Sequence, residues 1–227
     1  MPGTGRVIFV SFSGIDGAGK STRIDALRAR LTQSGVHVLL LSLWQDIVVL
    51  SRLRERTSHA VFKGDKGTGT PASPVYRRDK NVRAWYVTGM RLIFYLLDAV
   101  HLRTVVARMM ATNANQVVIF DRYIYDELAN LPLEHRFARL YIRLLLRFTP
   151  KPDIAYLIDA DPIAAQHRKP EYPLDFLQGN RLSYLALSDL AGMIVIEPRS
   201  ILATDEKMTH AVLARMPVLP RLVLSTF

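Results

Sequence analysis

The chain has 227 residues, of which 49% are hydrophobic and 22% are charged. This length and composition are typical of a single globular α/β domain with a core large enough to need no disulfide or structural metal, so we expect one domain over residues 1–227. The sequence contains no cysteine, which excludes disulfides, thiolate nucleophiles and zinc–thiolate sites. Its net charge of +10 favours acidic partners, with nucleotides first, then nucleic acids or an anionic membrane surface.

The first predicted element is a short strand from Val7 to Phe12 that runs into a glycine-rich turn. The turn matches the P-loop spacing G-x-x-x-x-G-K-[ST]. Glycines let backbone N–H groups approach an anion closely, and the helix that follows points its positive N-terminus at the same place. The lysine supplies a charge for nucleotide phosphates, and the serine can bind Mg²⁺. The motif therefore predicts a nucleoside triphosphate site formed by Gly14, Ile15, Asp16, Gly17, Ala18, Gly19, Lys20, Ser21 and Thr22.

Strands and helices alternate along the rest of the chain, which predicts a doubly covered parallel α/β sheet. After the P-loop helix, which Gly35 ends, we expect a strand from Val36 to Leu43 and a helix from Trp44 to Thr57. Residues 63–83 are rich in glycine, proline and charge, and form either a disordered connector or a loop that closes over an acceptor. The remaining predicted elements are a helix at 84–111, strands at 117–120, 154–158 and 193–196, and helices at 137–148, 174–189 and 205–215.

Asp121 directly follows the third predicted strand. P-loop proteins keep a carboxylate for Mg²⁺ at this position, although such a residue also caps the segment that follows. Ligands of parallel α/β sheets bind at the carboxyl ends of the strands, so Gly14 and Asp121 should lie on one rim. The adjacent Arg122 would point to the same rim, where its fork of donors suits a phosphate. We therefore predict Ser21 and Asp121 as metal ligands.

Three stretches, GIDGAGKST, VVIFDRY and PDIAYLIDADP, resemble the thymidylate kinase family of P-loop nucleoside monophosphate kinases. The likeness runs in order from Val7 to about Met216. It implies a five-stranded parallel sheet, ATP and Mg²⁺ as cosubstrates, and transfer of the γ-phosphoryl group to a nucleotide. It also implies that Asp16 faces the acceptor sugar hydroxyl, that Arg122 holds the acceptor phosphate and that Arg199 lines the adenine pocket.

Phosphoryl transfer depends mostly on positioning and on cations that neutralise charge. We predict Lys20, Arg122 and Arg168 as the catalytic residues. Some members of the family carry an arginine inside the P-loop, where this chain has Asp16-Gly17-Ala18. The resemblance implies that, where the P-loop lacks this arginine, a lid between the fourth and fifth strands supplies it, and residues 166–173 correspond to that lid. A solvated basic loop is the alternative.

The acceptor site departs from the family pattern. The family's acidic-Pro-Gly-Gly segment is absent, and Asp46 either orients an acceptor or caps a helix. On the long helix, Arg91 and Asp98 form either an internal ion pair or a pocket wall. The resemblance matches the base-stacking aromatic to Phe94 and the base-reading arginine to Asp98, whose carboxylate can only accept hydrogen bonds. The predicted acceptor-binding residues are Asp16, Arg91, Phe94, Asp98 and Arg122, but the acceptor stays open.

A further pattern is an arginine every three or four residues in the helix at 137–148, at positions 136, 139, 143 and 147. Such a stripe is either a solvated helix face or a surface that binds a membrane or RNA. The longest apolar stretch, Met90 to Met110, carries too many charges to span a membrane, and the first apolar run is too short for a signal peptide.

Three functions follow. The first is an ATP-dependent kinase of a nucleoside monophosphate, the second a kinase of a nucleoside or other small acceptor, and the third a P-loop regulatory protein without phosphotransfer. For the first we expect a cytoplasmic location, a small nucleotide acceptor as partner and no nucleic acid, and the sequence allows a homodimer.

Overall fold

The computed structural model describes residues 6–48, 85–112, 114–197 and 201–216. Five parallel strands form one sheet in the order β2–β3–β1–β4–β5. The strands are β1 (Val7–Ser13), β2 (His37–Ser42), β3 (Gln116–Asp121), β4 (Ile154–Ile158) and β5 (Ile194–Ile196). The predicted five-stranded parallel sheet is confirmed. Every residue of β1 and β4 is buried, as expected of strands covered on both faces.

Helices connect and cover the strands. They are α1 (Lys20–Gln33), α2 (Trp85–Ala111), α3 (Ile124–Leu128), α4 (Arg136–Phe148), α5 (Pro162–Arg168), α6 (Leu174–Ala191) and α7 (Ile201–Leu213). The two short helices, α3 and α5, do not appear in the sequence-based prediction. Within the described residues, none of these helices has the length and apolar character that crossing a bilayer requires. That residues 1–227 form a single domain stays a prediction.

The segment after β2 differs from the predicted helix at 44–57. A single π-helical turn, Leu43–Ile47, follows β2, and the chain is extended at Val48 with φ −61° and ψ 117°. The turn buries Leu43 and Ile47 completely, and the Asp46 carboxylate accepts a hydrogen bond of 2.7 Å from the Ser42 N–H. Asp46 therefore caps this turn, one of the two roles that the sequence left open. Residues 49–57 and the predicted loop at 63–83 lie outside the described residues.

The order of the strands determines where a ligand site forms. β1 lies between β3 and β4, with Phe12 opposite Asp121 and Ser13 opposite Leu157. The carboxyl ends of these three neighbouring strands therefore meet at one edge of the sheet. Gly14 and Asp121 lie on that edge, as the sequence predicted.

A buried ion pair joins the P-loop helix to the last described helix. Arg23 of α1 donates a hydrogen bond of 2.5 Å to Asp205 of α7, and both side chains are buried. A charge left alone in such a place would be strongly destabilising, so the pair holds α7 in one register against α1.

Candidate active site

The loop between β1 and α1 is built from glycines that no other residue could replace without strain. Gly14, Gly17 and Gly19 have φ angles of 144°, 82° and 91°. A Cβ on Gly14 would lie 2.5 Å from the carbonyl oxygen of Ile158, and one on Gly17 would collide with the carbonyl oxygen of Ala165. The loop therefore packs its own backbone directly against β4 and α5.

Lys20, the first residue of α1, is buried within the loop. Its Nζ donates to the carbonyl oxygens of Gly14 at 2.7 Å and Ile15 at 2.9 Å. Gly19 at the N-cap offers no side-chain acceptor, so the first N–H groups of α1 have no side-chain cap. This arrangement presents an ammonium group and helix N–H donors together, which suits a phosphate.

Arg122 follows β3 in a left-handed conformation with φ 70°, which is uncommon for a residue other than glycine. Its backbone N–H donates to the Phe12 carbonyl at 3.0 Å. Its guanidinium pairs with the Asp16 carboxylate and lies 3.4 Å from Asp126 Oδ1. Burial by itself lowers the pKa of Arg122, but the charges of Asp16 and Asp126 outweigh it and raise that pKa. The guanidinium therefore stays charged at the edge of the loop.

Asp126 is the centre of a hydrogen-bond network beneath Arg122. Its buried carboxylate accepts from Ser13 Oγ at 2.6 Å, from the Tyr184 hydroxyl at 2.8 Å and from the Tyr123 N–H at 3.1 Å. Burial first, and then the charge of Asp126, raises the pKa of Tyr184 well above its usual value, so the hydroxyl stays a donor. The network contacts Nη1 of Arg122, whereas Asp16 pairs with Nη2.

Two neighbouring cations of the lid, Arg168 and Lys169, contact different groups. Arg168 is exposed, and its Nε donates to the Ala164 carbonyl of its own helix at 3.2 Å. The Nζ of Lys169 lies 3.8 Å from Asp16 Oδ1 and 3.2 Å from the completely buried Glu171 carboxylate. The lid cation that reaches the P-loop is therefore Lys169.

The predicted acceptor residues of α2 lie next to α3 and α4. Asp98 is completely buried, whereas Arg91 and Phe94 are half-buried. Burial, followed by the charges of Glu127 and Asp98, raises the pKa of Tyr141 to about 12. The Tyr141 hydroxyl also donates to the Leu92 carbonyl, so α4 contacts α2 in this region.

Known proteins that are similar in sequence to this chain include thymidylate kinases. No protein-family profile matches the chain. The chain is 28% identical over 196 residues to the thymidylate kinase of Tropheryma whipplei (strain Twist), with 80% of this chain and 81% of that protein covered. It is 28% identical over 164 residues to the thymidylate kinase of Bifidobacterium longum (strain NCC 2705), with coverage of 71% and 70%.

The solved structures agree on the fold. The crystal structure of thymidylate kinase from Ehrlichia chaffeensis superposes with a TM-score of 0.54 and 19% identity, covering 90% of this chain and 97% of that one. The chain is therefore similar in sequence to thymidylate kinases and has a similar fold. The resemblance seen in the motifs is therefore confirmed.

The metal residues predicted for this thymidylate kinase-like chain lie at the expected edge. Ser21 is exposed in the first turn of α1, and Asp121 is half-buried at the end of β3. Among the described residues, no group of three or more carboxylate, histidine or cysteine side chains could hold a metal by itself. Mg²⁺ usually binds through nucleotide phosphates, waters and one or two protein oxygens, and Ser21 and Asp121 stay its predicted ligands.

Sequence reasoning missed Asp126 and Tyr184. A signal for Asp126 was present, because a carboxylate three residues after an N-cap position is half of a capping box. Tyr184 carried no such signal, since only the fold brings it to the loop. Arg199 lies outside the described residues.

We predict that Tyr184→Phe lowers the free energy of unfolding by about 2 kcal/mol, because Asp126 loses a buried donor to a charged acceptor. Urea denaturation measures the change. Tyr156 is a matched control, since its side chain is also buried but its hydroxyl makes no hydrogen bond within the described part of the chain. Equal losses of unfolding free energy in Tyr184→Phe and Tyr156→Phe would contradict a stabilising hydrogen bond from Tyr184 to Asp126.

The same variant has a pH signature. The pKa of Tyr184 is raised in the folded state, so its contribution to stability is complete below the unfolded value near 10 and is lost as the pH rises above it. The Phe variant should therefore lose less stability than the wild type between neutral and strongly alkaline pH.

Proposed function

We propose that this chain is an ATP-dependent kinase that transfers the γ-phosphoryl group of ATP to a nucleoside monophosphate. The observation that carries the proposal is the presence of two cations at one P-loop, the buried Lys20 and the half-buried Arg122. Lys20 lies against the loop carbonyls and Arg122 lies on Asp16. A protein that only binds a nucleoside triphosphate needs the first cation, whereas a second suits the phosphate of an acceptor. The names of the relatives support the same reaction.

On the ATP side, phosphate oxygens would replace the carbonyls of Gly14 and Ile15 as the partners of Lys20. The first N–H groups of α1 would donate to the same phosphates. Ser21 and Asp121 would hold Mg²⁺, which neutralises charge on the transferring phosphoryl group when bound. We propose ATP and Mg²⁺ as the cosubstrates on this basis.

On the acceptor side, the phosphate of the acceptor would replace Asp16 as the partner of Arg122. The Asp16 carboxylate would then be free to accept a hydrogen bond from a sugar hydroxyl of the acceptor. Asp126, held by Tyr184, would keep the guanidinium in place during this exchange, because it contacts Nη1 whereas Asp16 contacts Nη2. The Arg122–Asp16 pair of the described structure would thus be replaced by two contacts to substrate.

The two other functions are less well supported. A kinase of an unphosphorylated acceptor would not need the Arg122 site, and a regulatory protein without phosphotransfer would need neither Arg122 nor a lid. The sequence comparisons favour neither alternative.

We also propose a cytoplasmic location and a homodimer. The support for the dimer is a stripe of uncharged, exposed side chains on α2, in which Ile93 is 63% exposed and Leu96, Leu97 and Val100 are exposed beside it. Two copies could bury these stripes against each other. Leu97→Glu should then turn a dimer into a monomer in sedimentation equilibrium, and a wild type that sediments as a monomer contradicts the dimer.

The central experiment is a screen for ADP release with nucleoside monophosphates, nucleoside diphosphates and unphosphorylated nucleosides. We expect turnover with a monophosphate, and we expect Lys20→Ala to lower it at least about a hundred-fold without loss of fold. The conservative Lys20→Arg and circular dichroism of both variants serve as controls. Activity only with unphosphorylated acceptors would support a kinase of a nucleoside or other small acceptor. ATP binding without any phosphotransfer would support a regulatory protein.

The lid gives a second test, because Arg168 and Lys169 are neighbours with different contacts. We expect Lys169→Ala to lower kcat about a hundred-fold, as the loss of a donor to the transition state does, with a smaller change in the KM for ATP. Arg168→Ala is the matched control. The sequence alone favoured Arg168, so a loss confined to Arg168→Ala would return the catalytic role to that residue.

The identity of the acceptor depends on Asp98. If Asp98 lines the acceptor pocket, its carboxylate would face the carbonyl of thymine, and two acceptors cannot hydrogen-bond to each other. Thymidine monophosphate should then have a kcat/KM several-fold to a few hundred-fold below that of an acceptor with an amino group there, from the roughly 1–3 kcal/mol of an unsatisfied group. Asp98→Asn should reduce the difference. A preference for thymidine monophosphate that the variant leaves unchanged would contradict the pocket role and leave thymidine monophosphate as the acceptor.

A further inference from the structure

Helix α4 presents apolar side chains to solvent as well as to the core. Its inner face buries Ile142 and Leu145. On the outer face, Phe137 is 88% exposed, Leu140 is 55% exposed and Leu144 is 56% exposed. Residues three, four and seven apart lie on the same side of a helix, so these three form one exposed apolar stripe.

The same outer face carries a strong positive charge. Arg136, Arg139, Arg143 and Arg147 are all exposed, and α4 contains no acidic residue. Within the part of the chain that the structure describes, none of the four forms an ion pair. Among the described residues, the positive charge of this face is therefore not compensated by an ion pair.

Two grooves run along α4, and both combine cationic and apolar walls. The first has a volume of about 470 Å³ and is lined in part by Arg143, Arg147 and Lys151. The second has a volume of about 630 Å³ and is lined by Arg136, Phe137, Arg139, Leu140 and Arg143. No acidic side chain lines either groove in the described part of the chain. Each groove is large enough for a phosphate headgroup.

We propose that the outer face of α4 docks on an anionic phospholipid surface. The arginines contact lipid phosphates, and Phe137, Leu140 and Leu144 insert at the boundary between headgroups and acyl chains. A helix with arginines beside exposed phenylalanine and leucine is the composition that binds in the plane of a membrane. The helix lies on the bilayer and does not cross it. Such a surface agrees with the net charge of +10 and with a cytoplasmic protein, since the cytoplasmic leaflet is anionic.

Charge and apolar character together favour an anionic bilayer over a second copy of the chain or a nucleic acid on the outer face of α4. A second copy placed on α4 by a two-fold axis would bring two sets of arginines together with no acidic side chain between them. A nucleic acid would satisfy the arginines but would leave Phe137 and Leu144 in water. An anionic bilayer satisfies both kinds of side chain at once. The uncharged stripe of α2, in contrast, is suited to a second copy.

The test is sedimentation of the purified full-length chain with vesicles. One set contains phosphatidylcholine with about one third phosphatidylglycerol, and the other contains phosphatidylcholine alone. We expect binding to the anionic vesicles at low salt, weaker binding at high salt and little binding to the neutral ones. No binding to anionic vesicles at low salt overturns the proposal.

Two double variants separate the contributions. Arg139→Gln with Arg143→Gln should weaken binding about twenty-five-fold, from about five-fold for each arginine near an anionic surface. Phe137→Ser with Leu144→Ser should weaken it at least about ten-fold through lost apolar insertion. The matched control is Arg28→Gln with Arg215→Gln, which removes the same charge from exposed positions outside α4. Phosphotransfer should be unchanged in all three, because none of these residues belongs to the active site.

Each other result contradicts the proposal. Equal weakening in the control pair means that net charge, and not α4, attracts the vesicles. Loss of binding with Arg139→Gln and Arg143→Gln but not with Phe137→Ser and Leu144→Ser means that nothing inserts. A change in sedimentation mass of the Phe137 and Leu144 variant, with vesicle binding intact, assigns this face to a second copy. Single-stranded nucleic acid that binds α4 more tightly than the vesicles assigns it to nucleic acid.

Discussion

The guanidinium of Arg122 lies between two carboxylates, Asp16 of the P-loop and Asp126 of α3, and the elements of the site are held together by this buried cluster. Each charge in the cluster would be costly without the others, because burial removes it from water. The cluster explains why a non-glycine residue keeps a left-handed backbone at the end of β3. It also joins β1, β3 and α6, since Ser13 and Tyr184 donate to the same Asp126.

A second constraint acts from the other side of the loop. Gly14 and Gly17 allow the backbone to contact β4 and α5, and Lys20 turns back into the loop that results. The lid, residues 166–173, starts within the last turn of α5, so the contact at Gly17 links the position of the lid to that of the phosphate site. Lys169 extends this link, because it reaches both Asp16 and Glu171.

The outer surfaces of α2 and α4 differ in charge although the two helices are neighbours. The Tyr141 hydroxyl donates to the Leu92 carbonyl at 2.6 Å, and Arg103 lies 5.3 Å from the centre of the Phe148 ring. The exposed stripe of Ile93, Leu96, Leu97 and Val100 on α2 is apolar and uncharged, whereas the outer face of α4 is apolar and strongly basic. This difference is the physical reason to assign a second copy to α2 and an anionic bilayer to α4.

Much of this molecule was determined by local sequence. The alternation of apolar strands and helices predicted the parallel sheet, and the P-loop spacing predicted the loop between β1 and α1. Asp121 and Arg122 were predictable because they directly follow a buried strand, whose end lies on the ligand edge of any such sheet. The short helices α3 and α5 escaped prediction because five to seven residues carry too little periodicity.

Only the tertiary structure decided which charges meet. Arg168 and Lys169 are adjacent in sequence, but α5 ends between them and directs Lys169 toward Asp16 and Arg168 back along its own helix. In the described part of the helix predicted at 44–57, the chain forms one π-helical turn, because propensity is weak against the packing of Leu43 and Ile47 into the core. A sequence specifies side chains and their spacing along the chain, whereas electrostatic energy depends on distances between residues that the chain brings together from far apart.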